Sequence, residues 1–159
     1  MHPATGDREP TPEPGRGTIS AIWLKRAHRG PMDRVDEAVM VANRGIAGNA
    51  DQGGRRQVTL LEEEVWWRLM GMLGADEDPS GRRANVLLRG IPLAGSRGRF
   101  LRLGACLVRI NGETKPCERM DELVPGLREL MWAGWQGGAF AEVIEGGTLR
   151  VGDAVMWEA

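Results

Sequence analysis

Short apolar runs separated by glycine- and proline-bearing breaks dominate the chain. In residues 18–24, Ile19, Ala21 and Trp23 alternate with Ser20, Ile22 and Leu24, which predicts a strand buried on both sides. A polar loop follows, then a second predicted strand over 35–42 and a glycine-rich connector over 44–54. A short strand is expected over 55–60. The period then changes: Leu61, Val65, Leu69 and Leu73 recur at helical spacing. Thr59-x-x-Glu62 resembles a capping box, and Gly74 marks a helix stop. Further strands are predicted at 85–88, 99–103 and 105–110. Residues 118–132 read as partly helical, interrupted at Pro125-Gly126. The last two runs, near 139–145 and 148–157, flank Gly146-Gly147, a hairpin signal. About eight short strands with one or two helices predict a mostly-β fold, a closed or nearly closed barrel. Residues 1–16, proline-rich and polar, are expected to be a disordered tail, and 17–159 one domain.

The composition fits that picture. The 159 residues are 42% hydrophobic and 27% charged, enough for one core without staples. The 23 glycines favour many turns over a helical bundle. A formal net charge of -1 and the lack of a dense basic stripe argue against nucleic-acid binding. No apolar run approaches a membrane span, and the start lacks the apolar core of a signal peptide. Two cysteines are too few for a disulfide scaffold. A cytoplasmic protein with free thiols is therefore expected. There is no Walker loop, no G-x-G-x-x-G between strand and helix, and no G-x-S-x-G elbow. The only histidines, His2 and His28, are in the tail and a loop, which disfavours a zinc hydrolase or a histidine-based triad.

The remaining chemistry centres on Cys117. Cys106 shares a strand face with Val108 and Ile110 and reads as a core residue. Cys117 follows Lys115-Pro116 in a polar loop just before a helical segment, a positive setting for a nucleophilic or metal-binding sulfur. Arg55 and Arg56, after Gly53-Gly54, suit an anion site or a solvated turn. Lys25 and Arg26 end the first strand and are candidates for the same role. Asn85 opens a strand and is suited to ordering a loop by side-chain-to-backbone bonds. Lys25 and Lys115 are the only lysines available for a pyridoxal Schiff base, and neither has an obviously apolar setting. Trp66, Trp67, Trp132 and Trp135 read as core or rim residues, with Trp135 placed to flank a cleft.

An ordered set of short motifs then stands out. It runs Gly17-Thr18-Ile19-Ser20-Ala21-Ile22, Gly45-Ile46-Ala47-Gly48, Arg56-Gln57-Val58-Thr59-Leu60-Leu61 and Asn85-Val86-Leu87. It continues through Gly90-Ile91-Pro92-Leu93, Leu103-Gly104 and Pro116-Cys117 to Val151-Gly152-Asp153. This set resembles the MOSC family, the module at the C-terminus of molybdenum cofactor sulfurases, which also occurs as small stand-alone bacterial proteins. The resemblance implies a β-barrel with Cys117 as the motif cysteine, carrying sulfur or binding the molybdenum of a pterin cofactor. It places Gly48, Asn49, Asn85 and the nearby basic residues on the cofactor side. It implies either a small reductase of N-hydroxylated compounds served by an external electron-donor protein, or a sulfur carrier charged by a cysteine desulfurase. It also brings an association with pyridoxal phosphate. Two departures weigh on a full catalytic site: Asn49 stands where the family usually has Asp, with no histidine shortly after, and Ala84 replaces the usual Glu before Asn85. A barrel that has lost its chemistry and binds a partner or small ligand is the third reading.

Overall fold

A computed structural model describes residues 15–159, so all but the end of the expected tail lies outside the described residues. In chain order the strands are β1 (Arg16–Lys25), β2 (Met32–Val35), β3 (Glu37–Val41), β4 (Gly45–Ile46), β5 (Val58–Glu62) and β6 (Val86–Arg89). They continue as β7 (Phe100–Leu103), β8 (Cys106–Glu113), β9 (Ala139–Glu145), β10 (Gly147–Arg150) and β11 (Ala154–Trp157). The helices are α1 (Glu63–Leu73), α2 (Arg119–Leu123) and α3 (Leu127–Met131). The main sheet runs β11-β7-β8-β9-β5-β6-β1 and closes through β1 and β11, giving a seven-stranded barrel with β2 added beside β1. A small sheet, β10-β3-β4, accompanies it. The expected mostly-β barrel is what the chain forms.

Its details depart from expectation where backbone geometry decides. A bulge between Ile19 and Ala21 shifts the alternation of β1. Ile19 therefore joins Ile22 and Leu24 in the barrel core, while Ala21 and Trp23 face outward under the helices. The predicted strand over 35–42 is two strands parted at Asp36, whose carbonyl accepts from the Val151 amide. The predicted 148–157 strand is likewise two, parted by the turn at Gly152 (φ 92). Gly146-Gly147 makes no hairpin: β9 pairs with β5 and β8, and β10 pairs with β3. A Cβ on Gly146 would stand 2.5 Å from the Met40 carbonyl oxygen, so the glycines allow a crossing between sheets. The second helical segment splits at Pro125-Gly126, where Gly126 takes φ 93.

The core has two parts. Alternate residues such as Leu60, Val86, Leu101, Val108 and Val155 fill the barrel. Outside, α1, α2 and α3 cover β1, β5 and β6 through Trp66, Leu69, Met120, Leu127 and Met131. Those strands are thus apolar on both faces. Trp66 is fully buried and its indole N–H donates to the Glu77 carbonyl.

The capping box does not form. Thr59 lies within β5, and Glu62 itself is the N-cap of α1, without a side-chain cap bond. Burial pushes the Glu62 carboxyl above its ordinary 4.5, partly offset by a hydrogen bond from the Leu93 backbone. An acid raised on folding favours the native state below its unfolded value, and that contribution is lost as pH rises through the folded value. Glu62→Gln, which keeps an acceptor and cannot ionise, should therefore be more stable than wild type at pH 7. The gain should vanish below about pH 4, measured by urea midpoints at both pH values.

Candidate functional site

Past the end of β8, residues Thr114 to Cys117 form a short loop leading to α2. The Thr114 amide donates to the Gly138 carbonyl, and the Cys117 carbonyl accepts from Met120 in the first helical turn. Gly137 and Gly138 let a second loop lie directly on the first. A Cβ on Gly137 would sit 2.3 Å from the Thr114 carbonyl oxygen; one on Gly138, at φ +98, would sit 2.1 Å from that of Leu60. Glu113 ties the same loops, accepting from the Trp135 amide and pairing with Lys115 at 3.1 Å. Lys115 also donates to the Trp132 carbonyl and lies 5.0 Å from the centre of its ring. Pro116 is buried, and Cys117 beside it is exposed.

Arg82 fastens this arrangement from beneath. It ends a 3₁₀ turn (Pro79–Arg82) whose N-cap, Asp78, accepts from the Ser80 amide. The buried guanidinium donates through Nε to the Gly137 carbonyl at 3.0 Å. Through Nη2 it donates to the carbonyls of Thr114 at 3.3 Å and Lys115 at 3.5 Å. Burial, and after it repulsion from Arg56, pushes Arg82 down to about 10, while the Cys117 sulfur acts in the opposite sense. Arg56, Arg82 and Cys117 thus share one electrostatic field, with Arg82 still cationic at neutral pH. Arg56, Arg82, Arg83, Thr114 and Gly137 line a small notch here, together with Thr59, Leu60 and Ala84. No carboxylate lines it.

The residues singled out from the sequence fall into two groups. Arg56 reaches the notch; Arg55 is exposed, and its carbonyl accepts from the Asn111 side chain. Lys25, Asn49 and Asn85 meet in a polar clip. Asn49 Oδ1 accepts from the Lys25 amide at 2.8 Å and from Asn85 Nδ2 at 3.2 Å. Asn85 also donates to the Trp23 carbonyl and accepts from the amide and hydroxyl of Thr59. The task Asn49 performs is acceptance, which Asn and Asp share. Lys25 pairs with Asp51 at 2.9 Å, Arg26 with Asp33 at 2.9 Å, and Gly48 turns at φ +86 beside Arg26. Both lysines, the two candidates for pyridoxal attachment, are paired with carboxylates, Lys25 with Asp51 and Lys115 with Glu113. The two groups connect through Thr59, which bonds Asn85 and lines the notch. Sequence reasoning missed Arg82, Arg83 and Thr114; the Arg82-Arg83 pair ahead of Asn85 was the only local hint.

Among the described residues no group of three or more His, Cys, Asp and Glu is placed to hold a metal ion. A metal here must bring most of its own ligands, and Cys117 is the exposed thiol that can complete them.

Because Arg82 alone satisfies several interior carbonyls, Arg82→Ala should cost about 2 kcal/mol or more in urea unfolding. It should also change the rate at which Cys117 is alkylated. Arg82→Lys should recover only part of both, since a single ammonium lacks the planar fork.

The profile of the MOSC domain matches residues 26–156. Among solved structures, the chain resembles the YuaD protein of Bacillus subtilis at a TM-score of 0.75 and 17% identity, covering 88% of this chain and 94% of that one. It resembles YiiM of Geobacillus stearothermophilus at 0.70 and 16% identity, over 90% of this chain and 75% of that one. YiiM of Escherichia coli matches at 0.67 and 16% identity, over 89% and 70% respectively. At these identities the likeness is one of fold. No curated protein matches the chain. With the profile spanning most of the barrel, the chain belongs to the MOSC domain family.

Proposed function

We propose that this chain binds a molybdenum cofactor at the Cys117 end of the barrel, with the Cys117 sulfur as the protein's ligand to the metal. MOSC domains are associated with that cofactor as a family. The observation that carries the reading is the position of the exposed thiol, beside a buried guanidinium and a notch with three arginines and no acid. The residues present fit the group. One soft sulfur ligand suits a metal that arrives with sulfur ligands of its own, and fixed cations suit an anionic pterin. When bound, the cofactor supplies two-electron chemistry at molybdenum.

The chain's own residues do the rest. Arg82 holds the carbonyls on either side of the Thr114–Lys115 bond and so positions the thiol two residues later. Arg56 supplies exposed positive charge. Asn85 acts at one remove, by orienting Thr59. As an enzyme the protein would be a small reductase of N-hydroxylated compounds. It would need a separate electron donor, since the chain has no flavin or haem motif. A second reading is favoured by the exposure of Cys117: its thiolate takes sulfane sulfur from a desulfurase persulfide, releasing that enzyme's thiolate, and hands it on.

Protein made in a host that synthesises the cofactor should contain near-stoichiometric molybdenum, and Cys117→Ser should lose most of it, as read by elemental analysis. Absence of the metal from both would overturn the reading. Cyanide-labile sulfur on Cys117 would then identify the carrier.

A further inference from the structure

The Thr114 hydroxyl is anomalous. Thr114 is only 4% exposed, and its Oγ1 is the single buried side-chain polar atom without a hydrogen-bond partner among the described residues. A buried hydroxyl without a partner is costly, and a fold normally supplies one. Its surroundings indicate what is missing. The notch it lines has room for about 10 Å³, which admits one oxygen-sized atom. Around that space stand Arg56, Arg82 and Arg83, with no carboxylate to neutralise them. Arg83 is spent on the Gly30 carbonyl at 2.6 Å. Arg82 uses Nε and Nη2 on backbone carbonyls, and its Nη1 makes no hydrogen bond among the described residues. Arg56 is exposed at the rim.

We propose that this notch is a seat for one tetrahedral oxyanion group, with the Thr114 hydroxyl donating to an oxygen that enters it and Arg56 and Arg82 supplying the charge. One oxygen fits inside, and the rest of the tetrahedron lies outside against Arg56. The group is phosphate-like, either a free oxyanion or the phosphomonoester end of a larger ligand. In the second case it deepens the cofactor reading by assigning that ligand's phosphate to Thr114, and to that extent rests on it. The carbonyls of Thr114 and Lys115 are held by the same Arg82, so the seat and the thiol are mechanically joined.

The test uses metal-free full-length chain, so it is independent of whether molybdenum binds. Thermal unfolding is followed against inorganic phosphate and against glycerol phosphate, with chloride holding ionic strength constant. Wild type should show a saturable rise in Tm with phosphate. Thr114→Val, nearly isosteric, should weaken the apparent phosphate affinity about tenfold, the size of one lost hydrogen bond to a charged group. In phosphate-free chloride buffer the same variant should unfold no earlier than wild type, because it removes an unsatisfied hydroxyl. Thr114→Ser should bind as wild type does, and Arg56→Gln should weaken binding without lowering the phosphate-free Tm, since it also relieves the repulsion on Arg82. Equal response to glycerol phosphate assigns the seat to a larger ligand's phosphate; response to inorganic phosphate alone assigns it to a free oxyanion. No saturable response in wild type, or equal affinity in Thr114→Val, overturns the proposal and leaves the notch a water site.

Discussion

The structure turns on the clip made by Asn85. It sits where β5 and β6 run parallel, a pairing that antiparallel neighbours and tight turns cannot supply on their own. Its backbone bonds both Trp23 on β1 and Thr59 on β5, and its side chain repeats both connections. Asn49 extends the clip to the connector after β4. One buried amide therefore sets the spacing of three strands at the end of the barrel from which the 3₁₀ turn carrying Arg82 departs. Such a network costs stability if any member is lost, since each leaves partners unsatisfied in a low-dielectric interior.

The electrostatics of the site follow from how Arg82 is satisfied. A buried cation is ordinarily met by a carboxylate, which cancels its charge. Here its donors meet carbonyl oxygens of Gly137, Thr114 and Lys115, which accept hydrogen bonds without bringing a negative charge. The charge stays available to whatever approaches Cys117. Glu113, the acid just before the loop, is turned instead to Lys115 and the Trp135 amide. The same loops are pinned without neutralising the notch.

Much of the barrel was legible because each strand is written separately as a short apolar run between polar or glycine-bearing breaks; β5, β6, β7, β8 and β9 all lie close to where those runs put them. What failed depended on partners distant in sequence. Gly146-Gly147 looks like a hairpin locally, yet the glycines serve the Met40 carbonyl on another sheet. Thr59 looks like a helix cap, yet its hydroxyl belongs to Asn85, 26 residues on. The bulge in β1 has no local signature beyond Ser20 itself. At the site, Cys117 stood apart from Cys106 because its neighbours are polar and proline-bearing. Arg82 and Thr114 could not be read, because a surface arginine and a buried one look alike until the loops that cover them are placed.

Closure of the ring has a consequence for how the chain comes to be folded. β1 meets β11 through Arg16, Gly17 and Thr18 against Met156, Val155 and Ala154, the first and last strands of the barrel. On a ribosome, β1 waits through the synthesis of every other strand before its seam can be sealed, and loop closure across that length is slow. Until then Ile19, Leu103 and Val155 lack their final neighbours, and the nascent chain presents an open apolar trough. The interval between emergence of β1 and release of β11 is therefore when the apolar interior of this domain is most open to wrong contacts.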